Sequence, residues 1–317
     1  MSESLPYQRV VVRPGLSYGV RQPVYPGAPT LLLLALSLHE ALAVKPYCLV
    51  GDQLHAQGWN IASLDLSGHG EAARPGEPGG LSTWAARLAA GDDLVAEFQE
   101  RATAVLDHLV ASGAADRWAL AAAGTSRAGY MAFQLAAADS RVRAVAAFAP
   151  VTDLRALSEF ASAQDDPRII ALNLTHQAPA LANRATWISI GNADDRVGSF
   201  CAIAFTQALI AASRQKNQTV DHSLLLRPTP GHMSEPGWHT EAADWLALNL
   251  RSRRQMLPPP PHPLSTACMV YPPAKVSGPA PLVVHFYGSG GNLENYNMRR
   301  SSFARLRQGL HERGYWL

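Results

Sequence analysis

The sequence predicts an α/β fold class, a mostly parallel central sheet flanked by helices. Three observations carry this expectation. Strand-type and helix-type runs alternate through residues 1–251. Two of the strand runs, 31–37 and 143–149, are apolar without alternation, the pattern of a parallel sheet covered on both faces. Residues 118–135 read as strand, sharp turn and helix, with Ser126 at the corner.

In chain order, 7–13 and 18–24 are expected to be edge strands joined by the turn Pro14-Gly15. The buried strand 31–37 follows, then a helix over 46–57 that stops at Gly58. Ile61–Leu66 is the next strand and runs into Ser67-Gly-His-Gly70; 71–81 is a Gly- and Pro-rich loop. The helix predicted over 91–112 places Leu94, Val95, Phe98, Ala102, Leu106 and Leu109 on one face. After the corner at Ser126 come a helix, the strand 143–149, and an irregular to helical insertion over 153–184. Thr186–Ile190 and His222–Arg227 are the last strands, separated by a helix over 198–214, and a helix over 239–251 closes the unit.

Beyond 251 the composition changes. Residues 252–264 contain Leu257-Pro-Pro-Pro-Pro-His-Pro263, a stiff polyproline linker. Residues 265–317 repeat the front of the chain: Pro281–Gly288 parallels 31–40, and Leu310-His-Glu-Arg-Gly-Tyr315 parallels Leu54-His-Ala-Gln-Gly-Trp59. This segment is expected to be the incomplete start of a second, similar unit.

Twenty-seven basic against 25 acidic residues give a net charge of +2 without a basic stripe, so no nucleic-acid partner is expected. Arg251, Arg253 and Arg254 end a predicted helix, where cations suit the dipole. Three scattered cysteines form neither a metal pair nor a disulfide framework, which suits a reducing compartment. The start of the chain lacks a signal-peptide pattern, and the run 31–37 is too short to span a bilayer. The expectation is a cytoplasmic protein with no membrane partner, no metal and no cofactor.

Gly124-Thr-Ser126-Arg-Ala-Gly129 approximates G-x-S-x-G, a turn so tight that only small residues flank its serine. Ala128 stands where the second glycine is usual, with Gly129 next to it. A serine hydroxyl needs a base to attack near neutral pH, and histidine held by a carboxylate supplies one. Asp194, in Gly191-Asn-Ala-Asp194-Asp-Arg-Val197, and His232, in Gly231-His232, each follow a predicted strand, as Ser126 does. All three are expected at the carboxyl edge of the sheet, where such folds bind ligands. Asp195 and Asp153 are rival acids; His222 and His239 are rival bases. For a developing oxyanion, one backbone donor is expected from Arg127 and another from the loop near Glu40 and Ala41, where His39-Glu40 replaces the usual His-Gly.

Together with Ala149-Pro-Val-Thr-Asp-Leu154 and Asp65-Leu-Ser-Gly-His-Gly70, these motifs make residues 1–250 resemble the α/β-hydrolase superfamily. They are most similar to its branch of dienelactone hydrolases and prolyl-oligopeptidase-type catalytic domains. The resemblance implies a metal-free serine hydrolase forming an acyl-enzyme on Ser126, with His232 as base and Asp194 as orienting acid. Its substrate would be a small-molecule ester or a short peptide. Ester hydrolysis leads, because the insertion 153–184 is too small for a large lid. A peptidase of the prolyl-oligopeptidase type and a non-catalytic binding relative are the alternatives.

Overall fold

The computed structural model describes residues 7–251. Residues 252–317, on which the Pro-rich linker and the partial second unit fall, lie outside the described residues.

The chain opens with β1 (Tyr7–Arg13) and β2 (Leu16–Arg21), an antiparallel pair turned at Pro14-Gly15. Gly15 sits at φ 75°, a conformation that costs glycine nothing. β3 (Ala28–Leu34) is buried along its whole length. It ends three residues before the expected boundary because Ser37-Leu-His-Glu40 is a capping box. Ser37 Oγ accepts from the Glu40 N–H, and the Glu40 carboxylate accepts from the Ser37 N–H at 2.9 Å. That box starts a short helix, α1 (Leu38–Ala43), which was expected as loop. α2 (Leu49–Ala56) and β4 (Asn60–Ser63) follow.

The region after β4 is more regular than composition suggests. α3 (Leu81–Ala89) begins at the end of the Gly- and Pro-rich stretch and buries Leu81, Trp84 and Leu88. Its Arg87, 3% exposed, grips Glu77 through two hydrogen bonds of 2.6 and 2.9 Å and so fastens the loop to the helix. That grip holds the Glu77 carboxyl down at about 2. α4 (Leu94–Ala111) carries the expected buried face.

β5 (Ala115–Thr125), α5 (Arg127–Ala138) and β6 (Val142–Phe148) form the centre of the sheet. The insertion is a set of short turns with α6 (Pro167–Ala171) and α7 (Ala178–Leu181). β7 (Ala185–Ala193), α8 (Ser199–Gln215), β8 (His222–Pro230) and α9 (Pro236–Arg251) complete the described chain. Among the described residues the strands form one sheet in the order β1-β2-β4-β3-β5-β6-β7-β8. β4, β3, β5, β6, β7 and β8 run parallel; β1 and β2 are the antiparallel edge. Among the described residues no helix is long and apolar enough to cross a membrane.

Small side chains pack the middle of the sheet: Ala119, Ala121, Ala122 and Ala123 of β5 are wholly buried. Larger ones fill the layer above, where Phe133 of α5 meets Phe205 of α8 edge-on, ring centres 4.9 Å apart. Burying each such ring contributes about 2 kcal/mol. The chain leaves β3 toward β4 on one side and returns to β5 on the other. A cleft therefore opens beyond the carboxyl ends of β3 and β5.

The turn after β4 is tied to that cleft by a buried carboxylate. Asp65, 2% exposed, accepts from the Leu38 N–H at 2.8 Å and from the Glu71 N–H at 2.9 Å. Gly70, at φ 49°, packs directly over it. Asp65→Ala is expected to lower stability by about 2–4 kcal/mol, because two backbone donors lose a charged acceptor; urea denaturation checks this.

Candidate active site

Ser126 occupies the corner between β5 and α5 with φ 57° and ψ −121°, left-handed backbone that a side chain rarely adopts. The corner needs close approach. A Cβ on Gly124 would stand 2.5 Å from the Ala128 carbonyl, and one on Gly129 would meet the Gly124 oxygen at 3.0 Å. Ala128 is wholly buried, so its methyl group is accommodated where the motif usually has glycine. Gly129 provides the close contact with the strand.

The cleft beside Ser126 has a volume of about 350 Å³. Ala35, Leu36, Pro46, Tyr47, Thr125, Arg127, Ala149, His232, Met233 and Ser234 line it together with the serine. His232 arrives from the turn after β8, where Gly231 takes φ 65°. Its Nε2 lies 3.0 Å from Ser126 Oγ, and its Nδ1 lies 2.8 Å from Asp194 Oδ2. The other carboxylate oxygen of Asp194 accepts from the N–H groups of Arg196 at 3.0 Å and Val197 at 3.2 Å. Ser199 closes the turn, donating to the Gly191 carbonyl at 2.7 Å and accepting from the Asp194 N–H. Gly191 is required there, since a Cβ would stand 2.8 Å from Thr229 Oγ1.

Asp194 is 1% exposed. Burial works to raise its pKa, but the hydrogen bond and charge of His232, with the two backbone donors, outweigh burial and hold the carboxyl below its ordinary value. An ionised carboxylate only accepts, so the proton on His232 sits at Nδ1 and Nε2 is left as acceptor for the serine hydroxyl. The line from hydroxyl to imidazole to carboxylate is the arrangement that moves a proton off a nucleophile during attack.

The rivals occupy other roles. Asp153 caps the turn after β6 and is fastened by Arg155 through Nε at 3.0 Å and Nη2 at 2.6 Å, and by Asn173 at 2.7 Å. Asp195 is exposed. His222 bridges Thr186 and Ser213 at 2.9 and 2.7 Å. His239 is wholly buried on α9 and stacks on Phe148, ring centres 4.1 Å apart. Burial alone pushes its pKa down to about 4.

The acid and its Arg196 depart from a local habit of this chain. Asp139, Asp153, Asp166 and Asp194 each precede an arginine by two residues. In the first three pairs the guanidinium folds back onto its own aspartate. At Asp194 it does not: Glu159 holds the Arg196 guanidinium at 2.6 Å, and Oδ2 is left to His232.

The oxyanion expectation for Glu40 and Ala41 requires correction. The Glu40 N–H donates to Ser37 Oγ, and the Ala41 N–H donates to the Ser37 carbonyl at 3.1 Å. Both donors are consumed by the cap of α1. The same loop reaches the cleft earlier, at Ala35 and Leu36. The capping signature at 37–40 was the signal for this difference. Arg127 follows the serine as the first residue of α5.

No family model and no curated protein matches the chain by sequence. Solved structures do match by fold. TT1662 from Thermus thermophilus superposes with a TM-score of 0.60 at 21% identity, over 77% of this chain and 98% of its own. Oligopeptidase B from Leishmania major gives 0.55 at 14% identity, over 79% of this chain and 37% of its own; this chain thus spans little more than a third of that peptidase. The 2,6-dihydroxy-pseudo-oxynicotine hydrolase gives 0.52 at 18% identity, over 79% of this chain and 69% of its own. These likenesses show the α/β-hydrolase fold.

His239 generates a pH dependence. The unfolded chain takes up its proton near pH 6.5, whereas the folded chain resists until about 4. Between those values the unfolded state binds more protons, so stability falls as pH falls. The loss is expected to approach about 3 kcal/mol. Denaturation of wild type and His239→Phe at pH 7 and pH 4 checks it; the acid-induced loss should be smaller in the variant.

Proposed function

We propose that the chain is a serine hydrolase that cleaves carboxylic esters through an acyl-enzyme on Ser126. The observation that carries this reading is the unbroken line of hydrogen bonds, 3.0 Å from Ser126 Oγ to His232 Nε2 and 2.8 Å from His232 Nδ1 to Asp194 Oδ2. Ser126 Oγ attacks the ester carbonyl as its proton passes to Nε2. Asp194 steadies the imidazolium that forms. The tetrahedral intermediate collapses, the alkoxide leaves with the proton from Nε2, and the acyl group stays on Ser126. Water then repeats the sequence with His232 as base, releasing the acid and restoring the serine.

The oxyanion lies between two backbone donors. One is the N–H of Arg127, at the positive end of the α5 dipole. The other is assigned to Leu36, which lines the cleft where Glu40 and Ala41 do not. Removing such a donor typically slows reaction by about 10²–10³.

The cleft of about 350 Å³ suits a small acyl or alcohol group, and the turns of 153–184 leave it open. Likeness to the pseudo-oxynicotine hydrolase supports a small substrate; likeness to oligopeptidase B supports a peptidase as the second reading. A non-catalytic binding role is the third. A fluorophosphonate probe separates enzyme from non-enzyme. Wild type should be labelled and Ser126→Ala should not, and equal labelling of the two proteins defeats the assignment. Turnover of p-nitrophenyl esters without aminoacyl amides would favour the esterase, and the reverse result the peptidase.

Asp194→Asn is expected to slow acyl transfer by about 10⁴. Asp153→Asn should leave the rate within a few-fold of wild type, since that carboxylate holds Arg155 and Asn173. Rates of probe labelling in the two variants decide between the acids.

A further inference from the structure

Arg127 lines the cleft beside the nucleophile and carries a guanidinium besides its backbone N–H. The guanidinium extends past His69, whose Nε2 lies 3.5 Å from Nη1, and past Gly80, where an added Cβ would stand 3.9 Å from Nη2. Half-buried, it has no ion-pair partner among the described residues. Arg87, Arg141, Arg155 and Arg196 all hold carboxylates.

Two carboxylates within electrostatic reach of Arg127 are committed elsewhere. Glu40 accepts from the N–H and hydroxyl of Ser37 at 2.9 and 3.0 Å. Glu159 accepts from Arg196 at 2.6 Å and from Ser158 at 3.1 Å. Burial lowers the pKa of Arg127 and the charge of Arg196 pushes the same way, while Glu159, Tyr47 and Glu40 oppose them. A guanidinium is a planar fork of five donors, and a carboxylate matches it with two parallel hydrogen bonds. A cation partly withdrawn from water with no carboxylate on that fork is under-compensated, and it stands one residue from the nucleophile.

We propose that Arg127 selects substrates bearing a free carboxylate on the group held in the cleft, so that the preferred ester is a half-ester of a short dicarboxylic acid. The inference rests on Ser126 as nucleophile and adds the chemical class of its substrate. The carboxylate seats on Nη1 and Nη2 while the ester carbonyl lies against Ser126 Oγ.

The test compares monomethyl succinate, glutarate and adipate with their neutral amide counterparts, the methyl esters of the half-amides, by pH-stat. Within each protein the readout is the ratio of kcat/KM for the acid to that for the amide. Wild type should favour the acid by at least about tenfold at one chain length. Arg127→Met should bring the ratio near one, and Arg127→Lys should keep part of it. A wild-type ratio near one at all three lengths, or a ratio that survives in Arg127→Met, overturns the proposal.

Binding provides a readout that needs no turnover. Calorimetry should detect glutarate binding to Ser126→Ala, weakened at least about tenfold in Ser126→Ala/Arg127→Met, or in Ser126→Ala/Arg127→Gln should the first double variant fail to fold. No binding, or equal binding, overturns it. If fluorophosphonate leaves Ser126 unlabelled while glutarate binding depends on Arg127, the hydrolase reading fails and the anion site stands. Labelling without any carboxylate preference or glutarate binding has the opposite meaning.

Discussion

A serine held at φ 57° and ψ −121° is the constraint to which the rest of the described structure answers. Such backbone costs about 1–3 kcal/mol and persists only where its surroundings over-determine it. Here they do. The Ser126 N–H donates to the Phe148 carbonyl at 2.9 Å, and the Ser126 carbonyl accepts from Val151 at 3.1 Å and Tyr130 at 3.2 Å. One strand, the loop that follows it and a helix thus grip one residue. Gly124 and Gly129 let the helix close onto the strand, and the alanines of β5 leave both faces of the sheet free for the larger residues of the helices. The strain is local; the packing that supports it spans the sheet.

Charge placement is the second constraint, and it decides which carboxylate Arg155 and Arg196 engage. Asp153 and Asp194 have the same local sequence relation to an arginine, yet only Asp194 faces His232. The difference lies at Glu159, in the short turns of the insertion, which draws the Arg196 guanidinium aside. A segment too small to be a lid therefore shapes the electrostatics of the site. Arg127 is the complementary case: Glu40 and Glu159 lie within its reach, but the capping box and Arg196 have already engaged them.

Much of the site was legible because its elements carry local signatures. A small-residue corner after an apolar run marked Ser126, and turn residues after strands marked Asp194 and His232. Glu40 and Ala41 do not offer donors to the cleft because Ser37-x-x-Glu40 starts a helix whose cap takes both N–H groups. The same cap ends β3 at Leu34, short of the 37 that hydropathy alone predicts. α3 follows directly on the Gly- and Pro-rich stretch, with Leu81, Trp84 and Leu88 at helical spacing. Its loop is ordered by the Arg87–Glu77 pair, whose effect cannot be read from composition.

The sequence by itself determined the α/β layering, the order of the strands along the chain and the identities of the serine, histidine and aspartate that the fold brings into contact. Periodicity, small-residue corners and turn chemistry are local, so they survive without knowledge of the partners. Only the tertiary structure decided which aspartate meets which base, which part of the loop after β3 lines the cleft, and that Arg127 has no carboxylate partner among the described residues. Those outcomes depend on competition among donors and charges for the same acceptors, and that competition is set up by packing residues far apart in the chain.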